Sequence, residues 1–330
     1  LGSDQRQLQW PAGTHSSYSN VGSGIAGHIM EKITGSDFES LMASEVFRPL
    51  GLSTATILLD DSTRTHLVAG YDTDGVTPIR YWHMLFRPFG AINITPGDMA
   101  SFIQLLLNRG QHGAERYLTE ASIRRMEQQR TTLGARKGLT YGYGFGNYTW
   151  YRRGFLFHGH GGDGDGYLAH FGYQTELGVG YFVVINVFRH APLRALRAKI
   201  EDRLIADQPK PTPVPEITLS ASELSALAGV YTPATWRFGG RRERPSLRIT
   251  VSDGQLFKQL GEDGRRRRLI PVRPHQFRHS NESDATMALV RTAEGDIIFQ
   301  GDLGNFIKPP SPQTVTSSAT QPSSPALHNR

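Results

Sequence analysis

The sequence predicts an α/β (α+β) protein in which a mainly antiparallel sheet with flanking helices is followed by a small antiparallel β-barrel. Helical and strand periodicities alternate through residues 1–206. Four prolines within residues 208–215 then indicate a linker over 207–215. Beyond it, alternating strand patterns joined by turn residues occupy residues 216–308, as in a small barrel. Residues 309–330 are rich in Ser, Thr, Pro and Gln and predict a disordered tail.

Three helices are predicted in the first part of the chain. An apolar residue recurs at every fourth position in Val21, Ile25, Ile29 and Ile33, which is one face of an amphipathic helix. Asn20 is placed to cap this helix. Ser36 and Glu39 form a capping box that opens a second helix. The third begins at residues 95–98, Thr-Pro-Gly-Asp, with Pro96 in a tolerated first-turn position.

The remaining elements follow from strand patterns and turns. Residues 167–188 predict two strands around a turn near 175–180, and a helix fits residues 192–205. In the second part, Asp253-Gly254 and Glu294-Gly295 each separate two short strand patterns, which predicts two hairpins.

Length and composition exclude several classes of protein. A chain of 330 residues can bury a core without covalent staples. The absence of cysteine excludes a disulfide scaffold, a cysteine nucleophile and a thiolate metal site. The longest nearly apolar run, residues 179–188, is far shorter than the ~20 residues of a membrane helix, so no transmembrane segment is expected. Because the first residue is Leu1 and no signal segment opens the chain, we expect a processed or partial product.

The net charge of +6 is concentrated in one region. Residues 236–292 hold thirteen basic and six acidic side chains, and the rest of the chain is close to neutral. Two clusters contain Arg241, Arg242, Arg244, Arg265, Arg266, Arg267 and Arg268. We favour solvated loops around the barrel, and contact with an anionic surface is the alternative. Few aromatic residues are interleaved with the arginines, so no nucleic-acid partner is expected.

Two short segments contain candidate catalytic groups. Tyr18-Ser19-Asn20 stands before the first helix, where the structural interpretation is an aromatic anchor followed by a cap. The segment 159–163, Gly-His-Gly-Gly-Asp, has a structural interpretation as a loop histidine among glycines before a strand. Their chemical interpretation is different. Glycines let the backbone approach a substrate and present amide N–H groups to an oxyanion, and a tyrosine near a cation can accept a proton.

Residues 10 to about 190 resemble the serine β-lactamase and penicillin-binding-protein superfamily, in particular the class C-like β-lactamases, esterases and D-amino-acid-specific peptidases. The resemblance depends on the order of several blocks: 11–14 (Pro-Ala-Gly-Thr), 18–20 (Tyr-Ser-Asn), 33–35 (Ile-Thr-Gly), 47–52 (Phe-Arg-Pro-Leu-Gly-Leu), 95–100 (Thr-Pro-Gly-Asp-Met-Ala), 141–144 (Tyr-Gly-Tyr-Gly), 159–162 (Gly-His-Gly-Gly) and 166–167 (Gly-Tyr). Residues 224–304 resemble the lipocalin-like β-domain often appended to this group. The resemblance implies a transpeptidase-like domain over 1–206 and a lipocalin-like domain over 216–308.

The resemblance also implies roles for individual residues in acyl transfer. Tyr18 and Asn20 match the Y-x-N motif, so Tyr18 would share proton transfer and Asn20 would hold a lysine and the substrate amide. His160, with Gly161 and Gly162 at the substrate, matches H-x-G, and the backbone N–H of Asp163 would supply half of the oxyanion hole. We therefore expect Tyr18, Asn20 and His160 to face one cleft. Histidine stands here in place of the commoner lysine. Because its unperturbed pKa is about 6.5, it is not a permanently cationic anchor for a substrate carboxylate, which argues against β-lactam specialisation.

The remaining family motif, S-x-x-K, which precedes the other two in the family and supplies the serine nucleophile, is not found. No serine in the 330 residues has lysine three positions later, and the nearest match, Ser122 with Arg125, follows Tyr18 instead of preceding it. One hypothesis is therefore a serine hydrolase acting on an ester, amide or D-amino-acid peptide, inactive as this chain alone. The second is an inactive peptide- or glycan-binding homologue, and the third is an anion-binding module. No cofactor is implied, and the resemblance suggests a periplasmic or other extracytoplasmic location.

Other catalytic and metal motifs do not fit. The sequence has no G-x-S-x-G elbow and no Walker loop. His158 and His160 lack an evident acidic partner for a metal site. The segment 163–166, Asp-Gly-Asp-Gly, lacks the later glutamate of an EF-hand, so we expect a flexible turn at the active site.

Overall fold

A computed structural model describes residues 10–235 and 244–310. It contains a four-stranded antiparallel sheet with helices beside it and a closed eight-stranded barrel. The predicted fold class, mixed α and β with an antiparallel sheet and a barrel, is confirmed. No helix in the described parts of the chain is long and apolar enough to cross a membrane.

Helices dominate the first part of the chain and strands dominate the second. The helices are α1 (Asn20–Thr34), α2 (Phe38–Met42), α3 (Asp61–Arg64), α4 (Pro96–Leu107), α5 (Glu120–Glu127), α6 (Leu133–Arg136), α7 (His190–Leu204) and α8 (Ala221–Leu227), with a π-helical turn at Ala43–Phe47 and a 3₁₀ turn at Arg87–Phe89. The strands of the first part are β1 (Gly70–Tyr71), β2 (Pro78–Ile79), β3 (Gln111–His112), β4 (Glu115–Arg116), β5 (Tyr148–Arg152), β6 (Phe155–Gly164), β7 (Tyr167–Gln174) and β8 (Val179–Ile185). The barrel strands are β9 (Gly229–Pro233), β10 (Leu247–Ser252), β11 (Gln255–Leu260), β12 (Arg267–Arg273), β13 (Gln276–Arg278), β14 (Met287–Arg291), β15 (Ile297–Gly301) and β16 (Gly304–Lys308).

The predicted helices form, but two of the predicted caps were wrong by one residue. Ser19, not Asn20, caps α1, and its hydroxyl accepts from the Gly22 N–H at 3.0 Å. Asp37, not Ser36, caps α2. In both cases two adjacent residues are good caps, and the one chosen is the one whose oxygen reaches an unsatisfied N–H of the first turn. Asn20 becomes the first helical residue.

The main sheet has the order β5-β6-β7-β8, and all of its pairings are antiparallel. The predicted turn between β7 and β8 is confirmed. One face packs on α4, where Ile103 and Leu106 contact Tyr173, and the other packs near α7. β6 extends beyond the end of β5, because Tyr148 pairs with Gly159 and the later residues of β6 pair only with β7. His160 therefore lies in a strand at an open edge, not in a loop.

The barrel closes in the order β10-β11-β12-β13-β14-β15-β16-β9, so none of its strands is left as an edge. Both hairpins predicted at 253–254 and 294–295 are present. The interior is filled by apolar side chains that include Tyr231, Leu247, Ile249, Leu256, Leu269, Phe277, Leu289, Phe299 and Phe306. On the outside, Ile270 and Val290 pack with Leu139, which attaches the barrel to the segment around α6.

The proline-rich segment runs along the barrel without regular secondary structure. The Val214 N–H donates to the Ser283 carbonyl at 2.7 Å, and the Ile217 N–H donates to the Pro271 carbonyl at 2.9 Å. The domain boundary over 207–215 stays a prediction. Arg241, Arg242 and the part of the predicted tail from residue 311 onward lie outside the described residues.

Candidate active site

Tyr18 and His160 lie next to each other although 142 positions separate them in sequence. Their ring centroids are 6.1 Å apart and their planes differ by 29°. Tyr18 directly precedes the cap of α1, and His160 lies in the part of β6 that extends beyond β5. The start of α1 and the open edge of β6 therefore form two sides of the candidate site. Asn20, partly buried, is the first residue of α1, two positions after Tyr18.

Tyr143 is a third member of the site, and the sequence analysis did not single it out. Its hydroxyl forms a hydrogen bond with Nε2 of His160 at 2.8 Å. Its ring also meets the Tyr18 ring edge-on, with centroids 5.6 Å apart. The available signal was the Tyr-Gly-Tyr-Gly block at 141–144, which contributed to the resemblance but was assigned no role. Tyr143 thus contacts both of the predicted groups.

The hydrogen bonds of His160 define its protonation pattern. Nδ1 faces the carbonyl oxygen of Gly161, which can only accept, so this nitrogen carries the proton. In the neutral ring Nε2 then accepts from the Tyr143 hydroxyl, and in the charged ring it donates to the same oxygen. His160 can therefore gain or lose a proton at Nε2, on the side where Tyr143 and Tyr18 lie.

The register of β6 determines where its backbone N–H groups point. Asp163 pairs with Leu168 in β7, one step from the hairpin-closing pair of Gly164 and Tyr167. Hydrogen-bonded and non-hydrogen-bonded pairs alternate in an antiparallel ladder, and the closing pair of a two-residue hairpin is bonded. The N–H of Asp163 therefore points away from β7, toward the edge that β5 leaves open. The N–H of Gly161 points the same way, and Gly162 pairs with Ala169 between them.

A buried polar network lies behind this edge and was also missed by the sequence analysis. The Tyr148 hydroxyl bonds Nε2 of His170 at 2.8 Å, and the Tyr181 hydroxyl bonds Nδ1 of His170 at 3.2 Å. Tyr181 donates in turn to Glu201 of α7 at 2.6 Å. The Tyr148 ring is 5.5 Å from the ring of His160. The network thus connects α7 to the candidate site through Tyr148.

Burial controls the charge of this network. His170 is 2% exposed, and burial, with the nearby positive charges of Arg197 and His160, lowers its pKa to about 3. Burial also raises the pKa of Tyr148 and of Tyr181. Near neutral pH the network is therefore held together by neutral hydrogen-bonding groups around Glu201, and one of these hydrogen bonds holds the Tyr148 hydroxyl.

His158 belongs to the core and not to the site. Its ring packs 5.6 Å from that of Tyr173, and burial lowers its pKa. Within residues 10–235 and 244–310, no three His, Asp or Glu side chains are gathered as metal ligands would be. The hairpin after β6 is tied to a neighbouring loop, because the indole N–H of Trp82 donates to Asp165 at 2.9 Å.

The comparisons with known proteins agree with this fold. The family model described as Beta-lactamase matches residues 4–204, which is more than half of the chain. The chain belongs to the beta-lactamase family, within the superfamily of serine β-lactamases and penicillin-binding proteins.

The curated relatives cover only part of the chain. Penicillin-binding protein 4 of Amycolatopsis lactamdurans is 31% identical over 126 residues, which is 36% of this chain and 33% of the relative. A beta-lactamase of Lysobacter lactamgenus is 29% identical over 102 residues, which is 31% of this chain and 26% of the relative. The chain thus spans about a third or less of the length of these relatives.

A solved structure supports the fold. The crystal structure of SurE superposes with a TM-score of 0.51 at 19% identity, over 92% of this chain and 70% of that one. At this level of identity the similarity supports the architecture alone.

Proposed function

We propose that this chain provides the proton-transfer and oxyanion side of a serine hydrolase that acts by acyl-serine transfer on an ester, amide or D-amino-acid peptide. The observation that carries the proposal is the convergence of Tyr18, Tyr143 and His160 at the open edge of β6. The serine nucleophile would come from an S-x-x-K segment that is not among these 330 residues. Family membership supports serine-hydrolase chemistry in general.

The proposed reaction assigns one role to each group. The external serine attacks the substrate carbonyl and forms the Oγ–C bond while its hydroxyl proton passes to the Tyr18 side of the site. The Asp163 N–H stabilises the oxyanion, and the leaving group departs with a proton supplied through the same side. Water then attacks the acyl carbon and gives a proton to the same side of the site. The bond between the acyl carbon and Oγ breaks, the acid product leaves, and the serine Oγ takes up that proton. His160, hydrogen-bonded to Tyr143, orients this proton path.

Ser19, one of the two serines that flank Tyr18, is a poor substitute for the external nucleophile. It uses its hydroxyl to cap α1. An acyl-enzyme requires a nucleophile within hydrogen-bond reach of its base, with a trajectory to the substrate carbonyl. The Ser19 hydroxyl accepts a hydrogen bond from the helix backbone, so the helix sets its orientation and it is not directed at a substrate carbonyl by a base.

The exposed apolar surface of α1 is evidence that a further segment packs beside Tyr18. Its apolar face, defined by Val21, Ile25, Ile29 and Ile33, is between 49% and 79% exposed. An amphipathic helix normally buries this face, and contiguous exposed apolar surface marks an interaction site. The α1 face begins three residues after Tyr18. A segment packed there would place its own residues next to the candidate site.

The test is covalent labelling followed by intact-protein mass spectrometry and peptide mapping. The 330-residue chain alone should form no stable adduct with a fluorophosphonate or a penicillin. Fusion or addition of an S-x-x-K segment should produce one adduct, on the S-x-x-K serine. Tyr18→Phe should then slow acylation by about 10²–10⁴-fold, because general-base transfer contributes that much. Tyr141→Phe, a phenol that stacks on Tyr151 instead, is the matched control.

Two outcomes would contradict the proposal. Stoichiometric labelling of the present chain at any of its own serines would show a different site. A chain completed with S-x-x-K that binds a D-amino-acid peptide in calorimetry but never acylates would favour the inactive binding homologue.

Contact of the arginine clusters with an anionic surface is a separate proposal. Some of these side chains already have partners within the barrel: Arg268 pairs with Glu216 at 2.5 Å, and Arg266 lies 3.9 Å over the Phe257 ring. Arg265 and Arg266 remain exposed. Binding to phosphatidylglycerol vesicles should fall steeply with salt if the proposal holds, and binding that is absent at low salt would refute it.

A further inference from the structure

The segment that leads into Tyr18 lies against one end of the barrel. The side-chain amide of Gln300, in β15, donates to the Thr14 carbonyl at 2.9 Å. The amide of Asn305, in β16, donates to the Ser16 carbonyl at 2.7 Å. The indole N–H of Trp10 donates to the Ala234 carbonyl at 2.7 Å, just after β9. Three barrel positions therefore hold residues 10–16.

Gln300 and Asn305 form a closed hydrogen-bonded pair. They are cross-strand partners, and they are 2% and 1% exposed. The Gln300 amide also donates to Asn305 Oδ1 at 2.7 Å, and its oxygen accepts from the Gly134 N–H of α6 at 2.6 Å. Asn305 donates further to the Thr235 hydroxyl at 3.0 Å. Because each buried amide has defined donors and acceptors, neither can rotate without leaving a buried group unsatisfied.

These bonds limit the backbone on one side of Tyr18, and the helix limits it on the other. The carbonyl of Ser16 is fixed two residues before Tyr18, and Ser19 is fixed one residue after it as the cap of α1. Only Ser17 and Tyr18 lie between the two anchors. The anchor at Thr14 is shared with α6, because the Thr14 carbonyl also accepts from the Leu133 N–H at 3.0 Å. The barrel supplies the anchor at Ser16, so the position of the Tyr18 ring, 6.1 Å from that of His160, depends in part on the barrel.

We infer that Gln300 and Asn305 are positioning residues for the proposed site, and that the barrel orients Tyr18 toward His160. The inference rests on the proposed function and deepens it. It assigns to the barrel a role in catalysis that a merely appended domain would not have. Its test is a geometric one, which does not require the nucleophile.

A matched control separates positioning from general attachment of the barrel. Gln276, in β13, is 3% exposed and donates its amide to the Lys137 carbonyl at the end of α6 at 2.5 Å. It is therefore a buried barrel glutamine that contacts the same helix as Gln300. Among the hydrogen bonds of the described residues, it makes none to the segment before Tyr18.

The experiment compares Gln300→Met, Asn305→Leu and Gln276→Met in the full chain. Thermal unfolding confirms that each variant is folded. Amide hydrogen exchange of residues 15–19 and the nuclear Overhauser effect between the Tyr18 and His160 rings report the site. We expect Gln300→Met and Asn305→Leu to accelerate exchange by about tenfold or more and to weaken the ring contact, because a lost buried hydrogen bond favours local opening. Gln276→Met should leave both readouts unchanged.

The inference is overturned if the ring contact and the exchange rates are unchanged in both site variants, or if Gln276→Met alters them equally. Asn305→Ala is a second variant in case Asn305→Leu does not fold, since alanine is smaller than asparagine and cannot donate to the Ser16 carbonyl. In the completed protein, Gln300→Met should lower kcat for acylation about tenfold with little change in KM. If no adduct forms but exchange responds as expected, the proposed function fails and the positioning role stands.

Discussion

The barrel and the region that holds the candidate site (residues 10–204, here the site-bearing region) differ in how completely their strands are paired and their apolar side chains are buried. In the barrel, each strand is paired on both sides, and Phe299 and Phe306 are fully buried in its interior. In the site-bearing region, the end of β6 is paired on one side only, and Ile25 and Ile29 of α1 are about half exposed.

This difference indicates which region is built to meet another molecule. Unpaired strand edges and contiguous apolar surface both favour association with another molecule. Closure of a barrel removes the unpaired strand edges. The open edge of β6 carries His160 beside Tyr18, and the apolar face of α1 begins three residues after Tyr18. The barrel instead directs Gln300 and Asn305 toward the segment before Tyr18. We therefore interpret the barrel as the support and the site-bearing region as the receptive surface.

The largest expected effect comes from truncation in the barrel core. Phe299→Ala should lower the free energy of unfolding by about 3–5 kcal/mol, because it removes a fully buried ring and leaves a cavity. Phe145→Ala is the same substitution in the site-bearing region at a ring that is 71% exposed, and it should cost less than about 1 kcal/mol. Urea-induced unfolding measures both. Similar losses for the two variants would remove the contrast between the regions.

An intermediate effect is expected from pH, and it should arise in the site-bearing region. The native state keeps His170 neutral down to a pKa of about 3, whereas an unfolded histidine protonates near pH 6.5. Between these values the unfolded state binds more protons, so stability falls as pH falls. From pH 6.5 to 5 this loss is about 2 kcal/mol for His170, at about 1.4 kcal/mol per pH unit.

The barrel should respond only in stronger acid. Burial would raise the pKa of Asp302, but hydrogen bonds and charges from His279 and Lys258 outweigh it and lower that pKa. A lowered carboxyl pKa contributes stability that is lost only as pH falls below about 4. His170→Gln should therefore flatten the dependence of unfolding free energy on pH between 6.5 and 5, as measured by urea titration at each pH. If the unfolding free energy of the variant depends on pH as steeply as that of the parent chain, His170 is not the main source of this pH dependence.

The sequence predicted the elements of both regions because their signals are local. The four-residue spacing of α1 and the Asp-Gly and Glu-Gly turns of the barrel hairpins are contained within a few residues of chain. The caps were wrong where two good capping residues are adjacent, as at Ser19 and Asn20. Only the three-dimensional path of the first turn decides which oxygen meets the free N–H.

The candidate site was predicted only in part, because its geometry is not local. The resemblance named Tyr18 and His160, and the sheet brings them together from positions 142 residues apart. Tyr143 depends on its contacts with His160 and Tyr18, and the His170 network depends on contacts between strands and α7. No spacing in the sequence encodes these contacts. The periodic pattern of α1 likewise predicted a helix with an apolar face, but it did not predict that this face would be exposed.

The smallest expected effect concerns this exposed face of α1. Ile25→Lys and Ile29→Lys replace side chains that are 54% and 50% exposed, so each should change the unfolding free energy of this chain by less than about 0.5 kcal/mol. Ile103→Lys is the matched control on α4, where the side chain is 4% exposed, and it should destabilise the chain severely because it buries an unpaired charge.

The two α1 variants should nevertheless change what the chain binds. A lysine on the apolar face reduces the area that a packed segment can bury, so both variants should bind less of the dye ANS and should take up an added S-x-x-K segment more weakly than the parent chain. Fluorescence titration measures the first effect, and analytical ultracentrifugation with the added segment measures the second. A loss of more than about 2 kcal/mol of stability from Ile29→Lys alone would show that the α1 face is already packed in solution, and the receptive surface would then have to be sought elsewhere around Tyr18.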